Sequence, residues 1–146
     1  MMVDRAVVWD FDGTLVDTRR TNWQVTRALI PAVSGRPPEA FPALASLEAY
    51  QLADQRSANW RALYGREFGL SDEKVDQAGR LWTEYQLANQ TPTPFFDGVA
   101  EALAGLGDVP MAIFSQNSRL AIQRALEAAG LADYFQLVVG YEEVGF

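Results

Sequence analysis

Val7-Val8-Trp9-Asp10-Phe11-Asp12-Gly13-Thr14-Leu15-Val16-Asp17-Thr18 is an apolar run that ends abruptly in two aspartates one residue apart, followed by Gly-Thr. Ala6 to Trp9 is short, apolar and rich in β-branched residues, which predicts a buried strand of a parallel sheet. Asp10 then falls at the carboxyl end of that strand, the edge where open α/β sheets bind ligands. Residues two apart in an extended chain project the same way, so Asp10 and Asp12 face one substrate unless the chain turns between them. Two carboxylates so placed can hold a hard cation such as Mg2+. They can also divide the labour as nucleophile and general acid/base. Gly13 allows a turn or a close backbone approach, and Thr14 offers a hydroxyl and an N–H to an anion. A bare Asp-Gly would read as a turn. The whole Asp-x-Asp-Gly-Thr behind an apolar strand suits a phosphoryl group better.

Composition narrows the chemistry. The 146 residues are 49% hydrophobic, enough for one ordinary core or a small core plus a helical insertion. No apolar run approaches membrane-spanning length and no signal-like N-terminus is present, so a soluble, cytoplasmic protein without a membrane partner is expected. The absence of cysteine and histidine removes thiolate nucleophiles and every Ser-His or Cys-His scheme, leaving carboxylates as the chemical groups. A net charge of −7 argues against nucleic acid as the main partner. An anionic small substrate would need positive potential from a metal, helix N-termini or a few arginines.

After Thr18 the period changes to helical. Val25, Leu29 and Val33 share one face, and Gly35 with Pro37-Pro38 stops that helix. A second helical stretch is predicted over much of Leu44 to Phe68, ended by Gly69. Ser71 is the expected N-cap of a third helix, with Val75, Ala78, Trp82 and Tyr85 on one face. Thr91-Pro92-Thr93-Pro94 breaks it. From Phe95 an α/β pattern resumes: a helix with Val99, Leu103 and Leu106, a strand Met111-Ala112-Ile113-Phe114, a helix with Ala121, Ile122, Ala125, Leu126 and Ala129, and a strand Leu137-Val138-Val139-Gly140. The expected architecture is a mostly parallel α/β sheet interrupted by an all-helical insertion.

Ser115 sits at the tip of the second predicted strand, just before a helix. Taken alone, its Ser-x-Asn-Ser setting reads as an N-cap. Paired with the first motif, its hydroxyl and the N–H groups entering the helix become candidates for phosphate oxygens.

Asp10-Phe11-Asp12-Gly13-Thr14-Leu15-Val16-Asp17 resembles the first motif of the haloacid dehalogenase-like (HAD) hydrolases, in the phosphoglycolate phosphatase-like branch, and Ser115 resembles the second. The resemblance implies a HAD-like Rossmannoid α/β core over 1–18 and 92–146 and a mobile all-α cap over 19–91, hinged at Thr18-Arg19-Arg20 and Thr91-Pro92-Thr93-Pro94. It implies a Mg2+-dependent phosphomonoester hydrolase acting on a small phosphorylated metabolite. Asp10 would be nucleophile and Asp12 general acid/base, both at the metal; Thr14, Ser115 and Gln116 would contact the phosphate, Gln116 through its backbone in place of the more usual Asn. Asp12 disfavours dehalogenation, the lack of histidine disfavours sugar phosphate mutation, and Lys74 is the sole candidate for a phosphonatase lysine. Trp23, Arg27, Arg56, Trp60, Arg61 and Tyr64 are candidates to face substrate, set against core aromatics and solvated arginines.

The third and fourth family motifs, a lysine and a later acidic pair, have no counterpart before Phe146, and Lys74 reads as a solvated residue of the insertion. Glu142 and Glu143 precede the expected lysine position and are not expected to ligate metal. The expectation is a truncated core with an unpaired first-strand edge, weak or inactive alone, completed by further sequence, a homo-oligomer or a strand-swapped dimer. The alternative is a non-catalytic HAD-like binding or assembly subunit.

Overall fold

The computed structural model describes residues 5–144. In chain order the elements are β1 (Val7–Trp9), α1 (Arg19–Ser34), α2 (Leu47–Gln55), α3 (Trp60–Glu67), α4 (Asp72–Ala88), α5 (Val99–Leu106), β2 (Met111–Phe114), α6 (Arg119–Ala129), β3 (Leu137–Val139) and α7 (Tyr141–Val144), with 3₁₀ turns at Pro38–Ala40, Pro42–Leu44 and Ala132–Tyr134. The chain divides into two compact units, one made of residues up to Thr18 together with those from Pro92 onward, the other of Arg19–Thr91.

The first unit is built on a parallel three-stranded sheet in the order β1-β2-β3. Val8 pairs with Ala112 and Ala112 with Leu137, so these three lie in one row on one face. Val7, Trp9, Met111, Ile113 and Val138 occupy the other face, packed with Leu103 of α5 and Ile122 and Leu126 of α6. Both crossover helices therefore cover the same side, as successive right-handed connections between neighbouring strands in this order require. The expectation of fully buried strands is corrected: Val8 is 67% exposed, Leu137 57% and Phe114 47%, so the second face is bare among the described residues, and β1 forms an edge.

In the helical unit, the four-residue spacing of Val25, Leu29 and Val33 buries one face of α1, which packs chiefly against α4. The helical stretch expected over much of Leu44 to Phe68 is made of two helices. Ser57 Oγ donates back to the Ala53 carbonyl, and Asn59 Oδ1 accepts from Ala62 N, so α2 ends and α3 restarts with its own cap. Ser71 caps α4 as expected, accepting from Lys74 N.

Tyr64 is buried rather than open to a ligand: Thr26 Oγ1 lies 3.1 Å from its hydroxyl and 3.3 Å from that of Tyr50. Burial pushes both phenols up, Tyr50 to about 12 and Tyr64 further. A raised folded-state value means that this contribution to stability is complete below the unfolded tyrosine range near pH 10 and is lost as pH rises through the folded values. Unfolding followed by far-UV circular dichroism should show a steep loss of stability above about pH 10. Tyr64→Phe should flatten it at a cost of roughly 1 kcal/mol at neutral pH for the lost hydroxyl contact. An equally steep loss in the variant would contradict this assignment.

Candidate active site

The site is assembled at the carboxyl ends of β1 and β2. Beyond β1 the chain turns: Gly13, at φ 76°, donates to Val16 O, while Leu15 N and Thr14 N both bond the Phe11 carbonyl. Phe11 and Leu15 are buried in the sheet core and anchor this turn from beneath. Asp10 is exposed, one carboxylate oxygen accepting from Phe11 N at 2.8 Å. Asp12 is half-buried and accepts from Asn117 Nδ2 at 3.0 Å across 105 residues of sequence. Burial is the main influence raising the Asp12 carboxyl; the Asn117 bond lowers it and the nearby Asp10 charge raises it, leaving it at about 6. Among the described residues, no lysine or arginine pairs with either aspartate.

The loop after β2 is more tightly tied than its sequence suggests. Ser115 is buried, its N–H donating to Val139 O and its Oγ accepting from Asn117 N. Asn117 Oδ1 accepts from Ser118 N at 2.7 Å, and the Asn117 carbonyl from Tyr141 N. Glu142 closes the N-terminus of α6, its carboxylate accepting from Ser118 Oγ and Arg119 N. Desolvation opposes its ionisation, but these bonds and the Arg119 charge outweigh that and hold the carboxyl below its usual range. Glu143 bonds Gly140 N and pairs with the Arg119 guanidinium.

Gly140 makes that arrangement sterically feasible, because a Cβ there would clash with Arg119 N and come within 2.8 Å of the Asn117 carbonyl oxygen.

One expectation is corrected here. The N–H groups entering α6 were candidates for phosphate, yet those of Asn117, Ser118 and Arg119 are taken by Ser115, Asn117 and Glu142. An internal carboxylate occupies the positive end of the helix. Among the donors left to an external anion on this side are the Ser115 hydroxyl and the backbone N–H of Gln116, whose residue is exposed. On the other side Thr14 is exposed and lines a cleft of about 290 Å³ together with Trp9 and Phe96.

A profile of the haloacid dehalogenase-like hydrolases matches residues 5–146. The chain belongs to this family. No curated protein sequence matches it significantly. Its fold is similar to that of a haloacid dehalogenase-like hydrolase from Streptococcus pneumoniae, with a TM-score of 0.69 and 18% identity over 96% of this chain and 62% of that one. A predicted phosphoglycolate phosphatase from Haemophilus somnus aligns with a TM-score of 0.70 and 18% identity, covering 100% and 66%. CbbY from Rhodobacter sphaeroides, determined with a xylulose bisphosphate, aligns at 0.66 and 16%, covering 99% and 66%. The chain thus spans about two-thirds or less of the length of these structures.

For this HAD-like chain, the structure brings Asp12 to the Ser115 loop through Asn117 and leaves Asp10 exposed beside them. Among the six candidates to face substrate, Arg56 and Arg61 pair with Glu67 and Asp76 on the surface, Arg27 bonds the Leu44 carbonyl and Glu39, and Trp23 donates to Leu44 O. Trp60 is 43% exposed. Lys74 is exposed in the first turn of α4. Sequence reasoning missed Asn117 and Glu142. Asn117 read as a loop residue within Ser-Gln-Asn-Ser, and nothing local signals that its partner lies at residue 12.

Proposed function

We propose that the protein hydrolyses small phosphomonoesters through an aspartyl phosphate formed on Asp10, with Asp12 as general acid and then general base. The observation that carries this reading is the division of environment between the two carboxyls. Asp10 is exposed, and Asp12 is half-buried, raised to about 6 and tied to the second strand's loop. Carboxyls in such different surroundings suit different tasks. In the first step an Asp10 carboxylate oxygen forms a bond to phosphorus, the bond from phosphorus to the ester oxygen breaks, and the Asp12 proton passes to the departing alcohol. In the second, Asp12 takes a proton from water as its oxygen attacks phosphorus, and the bond to Asp10 breaks to release phosphate. Thr14 and Ser115 would contact phosphoryl oxygens, together with the Gln116 N–H. The helical unit Arg19–Thr91 is read as the substrate-selecting cap.

The donor chemistry fits Mg2+, which takes oxygen ligands and is often bound by one or two carboxylates together with waters and substrate phosphate. Asp10 would hold it through its exposed carboxylate, with Asp12 beside it, and no described group of three or more acidic residues offers a complete protein cage. When bound, the ion would offset the negative charge of both aspartates and of the phosphoryl group. A phosphorylated metabolite as substrate is supported by the family and by the bisphosphate held by one structural relative. Among the described residues no helix is long and apolar enough to cross a membrane.

Full-length protein containing this chain should release p-nitrophenol and phosphate in equal amounts from p-nitrophenyl phosphate in the presence of Mg2+. Binding of inorganic phosphate with no release from any monoester would overturn the hydrolase reading in favour of a binding or assembly subunit.

A further inference from the structure

Asn117 makes four hydrogen bonds, and together they fix which way its side chain faces. Its backbone is held at both ends, the N–H by Ser115 Oγ at 3.1 Å and the carbonyl by Tyr141 N at 3.1 Å. Its side-chain oxygen accepts from Ser118 N, a group that can only donate. The amide therefore cannot turn over, and Nδ2 must be the atom that meets Asp12 Oδ1 at 3.0 Å. Behind this loop, Glu142 holds Ser118 and Arg119 in place, and Gly140 provides the room for that close packing. The result is a rigid donor carried by the second strand's loop and aimed at a carboxyl on the first.

We propose that Asn117 is a positioning residue for the phosphoryl-transfer reaction: by donating to Asp12 Oδ1 it fixes the carboxyl plane and leaves Oδ2 as the oxygen turned to the leaving alcohol and then to water. An amide N–H can only donate, so the oxygen it meets is engaged as an acceptor and the other is left to the reacting oxygens. The inference rests on the reading of Asp12 as general acid and base. It extends that reading by naming what orients the group and which oxygen acts. Orientation is where such a contact matters, since a displacement of about 1 Å at a reacting group can cost about 10²-fold.

Asn117→Asp separates this role from a structural one. It keeps an oxygen to accept from Ser118 N but replaces the donor to Asp12 with a second acceptor. The measurement is the single-turnover rate of alcohol release by the full-length protein, from an alkyl monophosphate and from p-nitrophenyl phosphate. An alkoxide needs a proton to leave, whereas p-nitrophenolate does not. The expected result is a fall of roughly 10- to 100-fold for the alkyl ester. For the aryl ester the fall should stay below about 3-fold, followed by slow steady-state turnover because water activation is also impaired. Asn117→Ala, with thermal unfolding measured alongside, should show the same split. An equal fall for both esters, or none for either, would overturn the positioning role. Asp12→Ala provides the separate control. If it shows no leaving-group discrimination, the reading of Asp12 itself is wrong; if it discriminates and both Asn117 variants do not, only the present inference fails.

Discussion

Asp10→Asn should lower turnover of every phosphomonoester by roughly 10⁴- to 10⁶-fold, the scale on which loss of a covalent nucleophile acts. The substitution is isosteric, and the amide oxygen can still accept from Phe11 N, the hydrogen bond found on the Asp10 side chain. Asp10 is exposed, so removing its charge should change stability by less than about 0.5 kcal/mol. The neighbouring Asp12 loses a like charge that raises it, so its carboxyl should ionise more readily in the variant. Steady-state kinetics beside a thermal melt distinguish these effects. Retention of more than about a tenth of wild-type turnover, on a scale where nucleophile loss costs orders of magnitude, would exclude Asp10 as the nucleophile.

Removal of divalent metal should have the next largest effect. Asp10 and Asp12 place like charges side by side with no described cationic side chain paired to either, on a chain whose net charge is −7. A phosphate dianion would be repelled from such a site unless a cation offsets it. Charge stabilisation by a metal is typically worth several kcal/mol at the transition state, so chelation should reduce kcat/KM by roughly 10³-fold. Excess Mg2+ should restore it. Because the expected effect works through substrate charge, the loss should be accompanied by weaker protection by inorganic phosphate in a thermal shift. Undiminished hydrolysis in a chelator would show that some other source of positive charge serves the site.

How much of this was legible beforehand depended on the range over which each signal acts. The strand Val7–Trp9 ending in Asp10 was readable because an apolar run and its charged stop are neighbours in sequence. The stripe Val25, Leu29, Val33 declared α1, and Ser71 declared the start of α4, because periodicity and capping are local properties. The break between α2 and α3 is not legible in sequence because it rests on two short contacts, Ser57 to Ala53 and Asn59 to Ala62, that residue type alone does not announce. The bare face of the sheet was missed for another reason. Val8 and Leu137 look the same in sequence whichever side of a sheet the helices cover.

At the candidate site, the motifs nominate Asp10, Asp12, Thr14 and Ser115, since all lie in the first few residues beyond a strand end. Asn117 and Glu142 are not nominated, because their roles depend on partners 105 and 23 to 24 residues distant. Glu142 also explains why the N-terminus of α6 was misread. A helix start looks like an anion site in sequence, but the anion here is a side chain of the same protein, delivered by the turn after β3.

The most direct test of the account is to trap the covalent intermediate. Full-length protein is mixed with Mg2+ and p-nitrophenyl phosphate, quenched in acid within milliseconds to seconds, and digested for peptide mass analysis. The account predicts one hydroxylamine-labile phosphoryl group on Asp10, absent in Asp10→Asn and longer-lived in Asp12→Ala. Rapid turnover with a phosphoryl group on another residue, or with no phosphorylated protein at any quench time, would contradict it.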